Sequence, residues 1–245
     1  MSFLICCPLI RRTFVSLLFV MLSAVFLYPR ISFAKPMRFE VRDAAQRDSI
    51  QVTSDAQLEK IVAINSAVLG WVEIDPDQPR QGVKGEVEID LRSFVTGNAS
   101  RDSFLREKLL STSEFPTAKF VINKPLSFAS TRLVDQQPTV VRLEGTFTIR
   151  GQIRTQPILV KFTYFKQSDK TSQRLPGNLL RITSSFDLDL SSFGITIPEG
   201  LKFRVGKIVQ ANIDLIGNDG PVPSLTPVIS SAPGAAAAAD GPKSK

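Results

Sequence analysis

Histidine is absent from the chain, and both cysteines, Cys6 and Cys7, sit in an apolar N-terminal segment. A protein so composed lacks the usual general base, the usual thiol nucleophile and the common ligands of zinc, copper and haem. Carboxylates remain for acid–base work, and a suitably spaced pair is enough for glycoside hydrolysis. Yet Glu86, Glu88, Asp187 and Asp189 alternate with apolar neighbours, which puts them on the wet faces of strands. No catalytic residue, no metal and no cofactor is expected, and a non-enzymatic role is the reading.

The elements that would carry any site are strands. Gly85–Leu91 places Val87, Ile89 and Leu91 on one face and three acids on the other, the period of two that marks a half-buried strand. The same alternation puts Val141, Leu143, Phe147 and Ile149 together, then Ile158, Val160, Phe162 and Tyr164. It recurs for Leu180, Ile182, Phe186, Leu188 and Leu190, and for Val209, Ala211, Ile213 and Leu215. Shorter signals lie at Ser49–Ser54, at Lys60–Asp75 with a bend at Gly70, and at Lys119–Ile122 before a break or bend at Asn123-Lys124-Pro125. Antiparallel strands at this spacing form a sandwich or a barrel. Charged residues on the second face exclude an outer-membrane barrel, whose outside must be apolar.

One stretch departs from this rhythm. Thr96-Gly97-Asn98 ends a strand, Ser100 is the expected N-cap, and Asp102 suits the first turn of a short helix. Phe104, Leu105 and Leu109 form its apolar side, and Pro116 closes it. Asn98-Ala99-Ser100 also fits a glycosylation sequon, but a cap accounts for it.

The two termini read differently from the middle. Arg11 and Arg12 precede the apolar run Thr13–Tyr28, and Ser32 and Ala34 are the small residues of a cleavage site. That pattern predicts a cleaved signal peptide over 1–34 and a periplasmic or secreted protein. An uncleaved anchor is the alternative, although the run is shorter than the ~20 residues of a spanning helix. Loss of 1–34 removes three arginines and no acid, lowering the formal net charge from +7 to +4. The remaining positive charge is scattered, without the basic stripe and interleaved aromatics of a nucleic-acid binder. From 218 to 245 the chain is rich in Pro, Ala, Gly and Ser, the composition of a disordered tail.

The chain has seventeen phenylalanines against one tryptophan and two tyrosines. Many stand on the apolar strand faces. They either fill a core or line a small barrel that leaves room for one ligand. In the second case the walls would be Val87, Ile89, Phe120, Ile122, Phe147, Ile149, Phe162, Tyr164, Ile182, Phe186 and Leu188, with Phe104 and Leu105 of the helix as a lid. A long hydrocarbon suits such an interior. At ~0.8 kcal/mol per buried methylene, each five-carbon isoprene unit would gain roughly 3–4 kcal/mol. With a filled core, the domain would instead act through its surface or tail as an interaction module.

Three segments carry a family resemblance. Thr96-Gly97-Asn98, Arg101-Asp102, Leu105, Phe115-Pro116 and Phe120 resemble the T-G-N-x-x-R-D-x-x-L…(Y/F)-P-x-x-x-F signature of the YceI-like, polyisoprenoid-binding family. Gly145–Gly151 is similar to its G-x-L-T-I-R-G segment, and Ser192–Ile195 to its late D-F-G-I. Two departures stand out: Ser103 replaces a frequent histidine, and Leu190-Ser191-Ser192 lacks the family's Arg and Asp. The resemblance covers roughly 37–217. It implies a lipocalin-like antiparallel barrel of about eight strands with one inserted helix, over a domain 35–217. It also implies a bound polyisoprenoid, such as a prenyl diphosphate or a quinone tail, and transient contact with a membrane. For Arg101 and Asp102, fixing the helix is the expected role.

Overall fold

The computed structural model describes residues 35–43 and 45–221, so the predicted signal peptide and the tail beyond 221 lie outside the described residues. Met1–Lys35 and Pro36–Lys245 are separate units, and every strand among the described residues belongs to the second. The strands are β1 (Met37–Val41), β2 (Ser49–Asp55), β3 (Lys60–Asn65), β4 (Val68–Ile74) and β5 (Val83–Asp90). After the inserted helix α1 (Ala99–Phe104, continued by a π turn over Leu105–Leu109) come β6 (Thr117–Phe128), β7 (Pro138–Ile149) and β8 (Gln152–Phe165). A one-turn helix α2 (Asp169–Ser172) precedes β9 (Leu179–Asp189) and β10 (Ile208–Asn218).

These ten strands make eight staves. β1 and β2 lie along the same edge of β10, β1 at Gly217 and Asn218 and β2 over Val209–Asp214. β4 pairs with β1 and β3 pairs with β2, so β1/β2 and β3/β4 are two long strands, each broken once. The remaining neighbours follow in sequence order from β4 to β10, all antiparallel. The sheet therefore closes into an eight-stranded antiparallel barrel, which removes its free edges. At the break in β3/β4 the Asn65 side chain is buried. It donates to the Asp90 carbonyl at 2.7 Å and accepts from Ala67 N–H at 2.8 Å, replacing the lost ladder bonds.

The alternation seen in the sequence sets which side is dry. Val141, Leu143, Phe147, Ile158, Val160, Phe162, Leu180, Ile182, Val209 and Leu215 are all buried inside. The outer face carries cross-strand ion pairs such as Lys119–Glu86 at 2.8 Å and Arg181–Asp214 at 2.5 Å. Asn123-Lys124-Pro125 does not end β6. The strand passes through it by register shifts after Ile122 and Pro125 and continues to Phe128, because a bulge tolerates a proline that lacks the ladder donor. β10 runs on to Asn218, whose amide donates to the Pro176 carbonyl at 3.0 Å.

The loops 75–82, 129–137 and 166–178 gather at one end of the barrel, and 56–59, 91–116, 150–151 and 190–207 at the other. The first end is packed solid. Phe39, Val41, Ile74, Val141 and Leu180 are fully enclosed there, and Phe39 meets Tyr164 edge-on with ring centroids 6.2 Å apart.

Asp48, in the break between β1 and β2, is buried at this end. Its Oδ1 accepts from Ile216 N–H at 2.9 Å, and its Oδ2 has no hydrogen-bond partner among the described residues. Burial pushes its pKa up to about 6; the Ile216 amide and Arg174 oppose the rise, while Asp43 and Asp214 add to it. The fold thus favours the protonated acid. Its contribution is full below the ordinary carboxylate value of 3.8 and is lost as pH rises through about 6. Urea unfolding should show stability falling between pH 4 and pH 7 by on the order of 3 kcal/mol from this group. Asp48→Asn should flatten that slope and be more stable than the parent at pH 7.

Candidate functional site

The other half of the barrel is hollow. A cavity of about 640 Å³ opens between the strands, bounded below by Leu143, Phe162 and Leu215 and on one side by α1. Its size falls in the ~300–1,000 Å³ range of small-molecule sites. The interior of eight staves is wide enough that side chains reaching in from opposite walls meet only where they are large and layered. Phe39, Tyr164 and Phe162 do this at the closed end, and nothing equivalent crosses the mouth half. The filled-core alternative is therefore not the geometry of this chain.

Twelve of the thirteen residues expected to face the interior line this cavity. Val87, Ile89, Phe120, Ile122, Phe147, Ile149, Phe162, Ile182, Phe186 and Leu188 do so from the strands, and Phe104 and Leu105 from α1. The thirteenth, Tyr164, does not. It lies two residues beyond Phe162 toward the closed end, where it packs on Phe39, so alternation assigned its side correctly but could not assign its depth. Phe120, Phe147 and Phe186 form a continuous aromatic wall, with centroid separations of 4.6 and 5.2 Å. Gly145, which interrupts the apolar face of β7, makes room for this wall. A methyl group there would overlap the Phe120 ring.

The helix owes its position to the motif that opens it. Gly97 adopts φ +77°, a left-handed conformation that suits glycine. The N-cap is Asn98, not Ser100; its side chain accepts from Arg101 N–H at 3.1 Å. Ser100 is already helical, so its hydroxyl is past the capping position. Asp102 is buried and accepts from both Thr96 N–H at 2.7 Å and Thr96 Oγ1 at 2.5 Å, which folds the chain back onto the helix. After Ala99–Phe104 the helix widens into a π turn over Leu105–Leu109, with Leu110 N–H donating to the Leu105 carbonyl at 2.9 Å. The wider turn keeps Phe104, Leu105, Leu109 and Leu110 all against the cavity.

The other two motifs meet the helix at the same end. Arg150, in the β7–β8 turn, donates to the Gly194 carbonyl at 2.5 Å and to Ser111 Oγ at 3.3 Å. Phe193 and Ile195 on either side of Gly194 are buried and face the cavity. Arg101 ties α1 to the β2–β3 tip, donating from Nη1 to Glu59 Oε1 at 2.6 Å and from Nε to Thr96 Oγ1 at 3.0 Å. Arg204 reaches the same carboxylate from the β9–β10 loop, Nε to Oε2 at 2.9 Å. The sequence reading missed Glu59 and Arg204 altogether, and nothing local marks them.

Among the described residues no group of three or more acids, histidines or cysteines is placed to hold a metal. No helix among the described residues is long and apolar enough to cross a membrane. The site offers apolar walls and a charged mouth, the means to bind an amphiphile.

Residues 39–216 match the YceI-like domain family. Comparison with curated proteins finds no match. Among solved structures, the barrel is similar to that of BcnA from Burkholderia cenocepacia, with 16% identity, a TM-score of 0.56, and coverage of 72% of this chain and 98% of that one. It is similar to a polyisoprenoid binding domain from Saccharophagus degradans at 14% identity and TM-score 0.55, covering 75% and 99%. It also resembles a Campylobacter jejuni YCEI protein at 18% identity and TM-score 0.52, covering 68% and 90%. At these identities the likeness is one of fold.

Gly145→Ala should force the Phe120 ring into the cavity or strain β7, at a cost of ~1–3 kcal/mol. Urea denaturation of the single variant and of Gly145→Ala with Phe120→Leu checks the mechanism, since the smaller side chain should restore most of the loss.

Proposed function

This chain belongs to the YceI-like domain family, and from that premise we propose that it is an exported, non-enzymatic carrier that holds a polyisoprenoid chain inside its barrel. The observation that carries the reading is the half-hollow interior. Its lining is aliphatic and aromatic, and its charged groups lie at the mouth or pair on the β5–β6 wall. Apolar walls facing one another across such a cavity lack dispersion contacts that a hydrocarbon tail would supply. Branched isoprene units suit walls of alternating ring and branched side chains, and a few of them outweigh the ordering cost of binding. Prenyl diphosphates and quinone tails both meet this requirement.

Export rests on the signal-peptide pattern at 1–34. Loading from a membrane is supported by the rim of the mouth. There Leu58 and Phe203 stand 76% and 59% exposed on adjoining loops, joined by Leu58 N–H to the Phe203 carbonyl at 2.9 Å. Two bare apolar side chains beside an apolar cavity give a lipid tail a continuous path out of a bilayer.

Native mass spectrometry with organic extraction of protein purified from its natural host tests the reading. A bound prenyl lipid, or uptake of added geranylgeraniol, is expected. Leu105→Trp should fill the mouth half of the cavity and weaken uptake at least tenfold while leaving the far-ultraviolet dichroism of the barrel unchanged. A barrel that is empty as isolated and refuses added prenyl lipid would overturn it.

A further inference from the structure

Three separate loops are clasped at the cavity mouth by one carboxylate. Glu59, on the β2–β3 tip, uses one oxygen for Arg101 of α1 and the other for Arg204 of the β9–β10 loop. All three side chains line the cavity. Glu86 and Lys119, which border it from β5 and β6, pair with each other on the outer face at 2.8 Å. The clasp therefore sets two guanidiniums on one carboxylate at the point where a tail buried among the phenylalanines would end. Arg101 keeps a second hold on Thr96 Oγ1, so its guanidinium stays at the rim when Glu59 is displaced. The Glu59 pairs are about a quarter to a half exposed, with side-chain exposures of 27% for Glu59, 31% for Arg101 and 57% for Arg204. Partly exposed pairs of this kind exchange partners at small cost.

Two guanidiniums that converge on one carboxylate are arranged for a larger oxyanion, because a phosphate presents more acceptor oxygens to the same fork geometry. We infer that Glu59 is a stand-in for the head group of the ligand: the cavity takes a phosphorylated isoprenoid in preference to a neutral alcohol or quinone, the phosphate displacing Glu59 from Arg101 and Arg204. The inference rests on the apolar-tail reading above and adds the chemistry of the head. It also makes the clasp a gate. Holding the head group releases the β2–β3 tip from the other two loops, and losing it lets Glu59 close them again.

Geranylgeranyl diphosphate and geranylgeraniol share one tail, so the ratio of their affinities isolates the head. Titration of the full mature chain with each probe should show the diphosphate favoured, and the preference should decline as salt rises from 50 to 500 mM. Glu59→Gln should raise the ratio about fivefold, the factor that one unit charge a few ångströms away imposes in a water-like dielectric. Arg204→Gln should lower it by a similar factor, and adding Arg101→Gln should bring it close to one. Because Arg204 is the most exposed of the three, its variant keeps the test alive if the Arg101 variant unfolds. A ratio that is independent of salt and unmoved by Glu59→Gln and Arg204→Gln would overturn the inference while leaving tail binding intact. If neither probe binds the parent protein, the tail reading itself has failed.

Discussion

Closure of the sheet is the constraint on which everything else in this molecule depends. A chain without a disulfide in its barrel has to satisfy its backbone through the ladder and its apolar faces through enclosure. Joining β10 to β1 and β2 does both at once. The closure is made on a broken stave, so each half of β1/β2 takes a different length of β10. Asp48 completes the join, its side chain accepting from Ile216 N–H where the ladder is interrupted. A closed ring of eight staves then fixes the interior width, and the interior width decides how many side chains are needed to fill it. Large rings stacked at one end fill that half. The other half keeps its apolar walls and a void.

The mouth follows from a second requirement. Two of the loops at that end, 91–116 and 190–207, are long, and long loops must be tied down if the cavity is to keep its shape. Each tie is polar and each joins segments distant in the chain: Arg150 to Gly194 and Ser111, and Glu59 to Arg101 and Arg204. The Thr96–Asp102 pair is the local exception, and it fixes the entry of α1. Polar ties at the rim of an apolar hole make the site amphipathic without any further device. Structural support and the charge at the rim are thus carried by the same side chains, and Arg101 both holds the helix and faces the cavity.

How much was legible differs between wall and mouth. Alternation is a property of neighbouring residues, so strand faces, the dry interior and twelve of the cavity residues could be read one segment at a time. The helix could be placed from Thr96-Gly97-Asn98, yet its cap was displaced by two residues. Asn and Ser are near-equal caps, and only the conformation of Gly97 selects between them. Asn123-Lys124-Pro125 reads as a break or a bend because a proline removes a ladder donor, and β6 takes the bend, with register shifts at Asn123 and Leu126. Tyr164 was assigned to the right face and the wrong depth, since depth depends on which ring stands opposite.

The sequence by itself determined the fold class, the inward face of nearly every strand and the family, because each is written in short-range spacing and in three motifs. Tertiary structure alone decided that the barrel is half hollow, since a void is set by the distance between walls that no single strand encodes. It alone brought Glu59 to Arg204, 145 residues away. Pairing over that separation depends on where the β2–β3 and β9–β10 loops emerge from the closed ring, and the ring exists only once all eight staves have met.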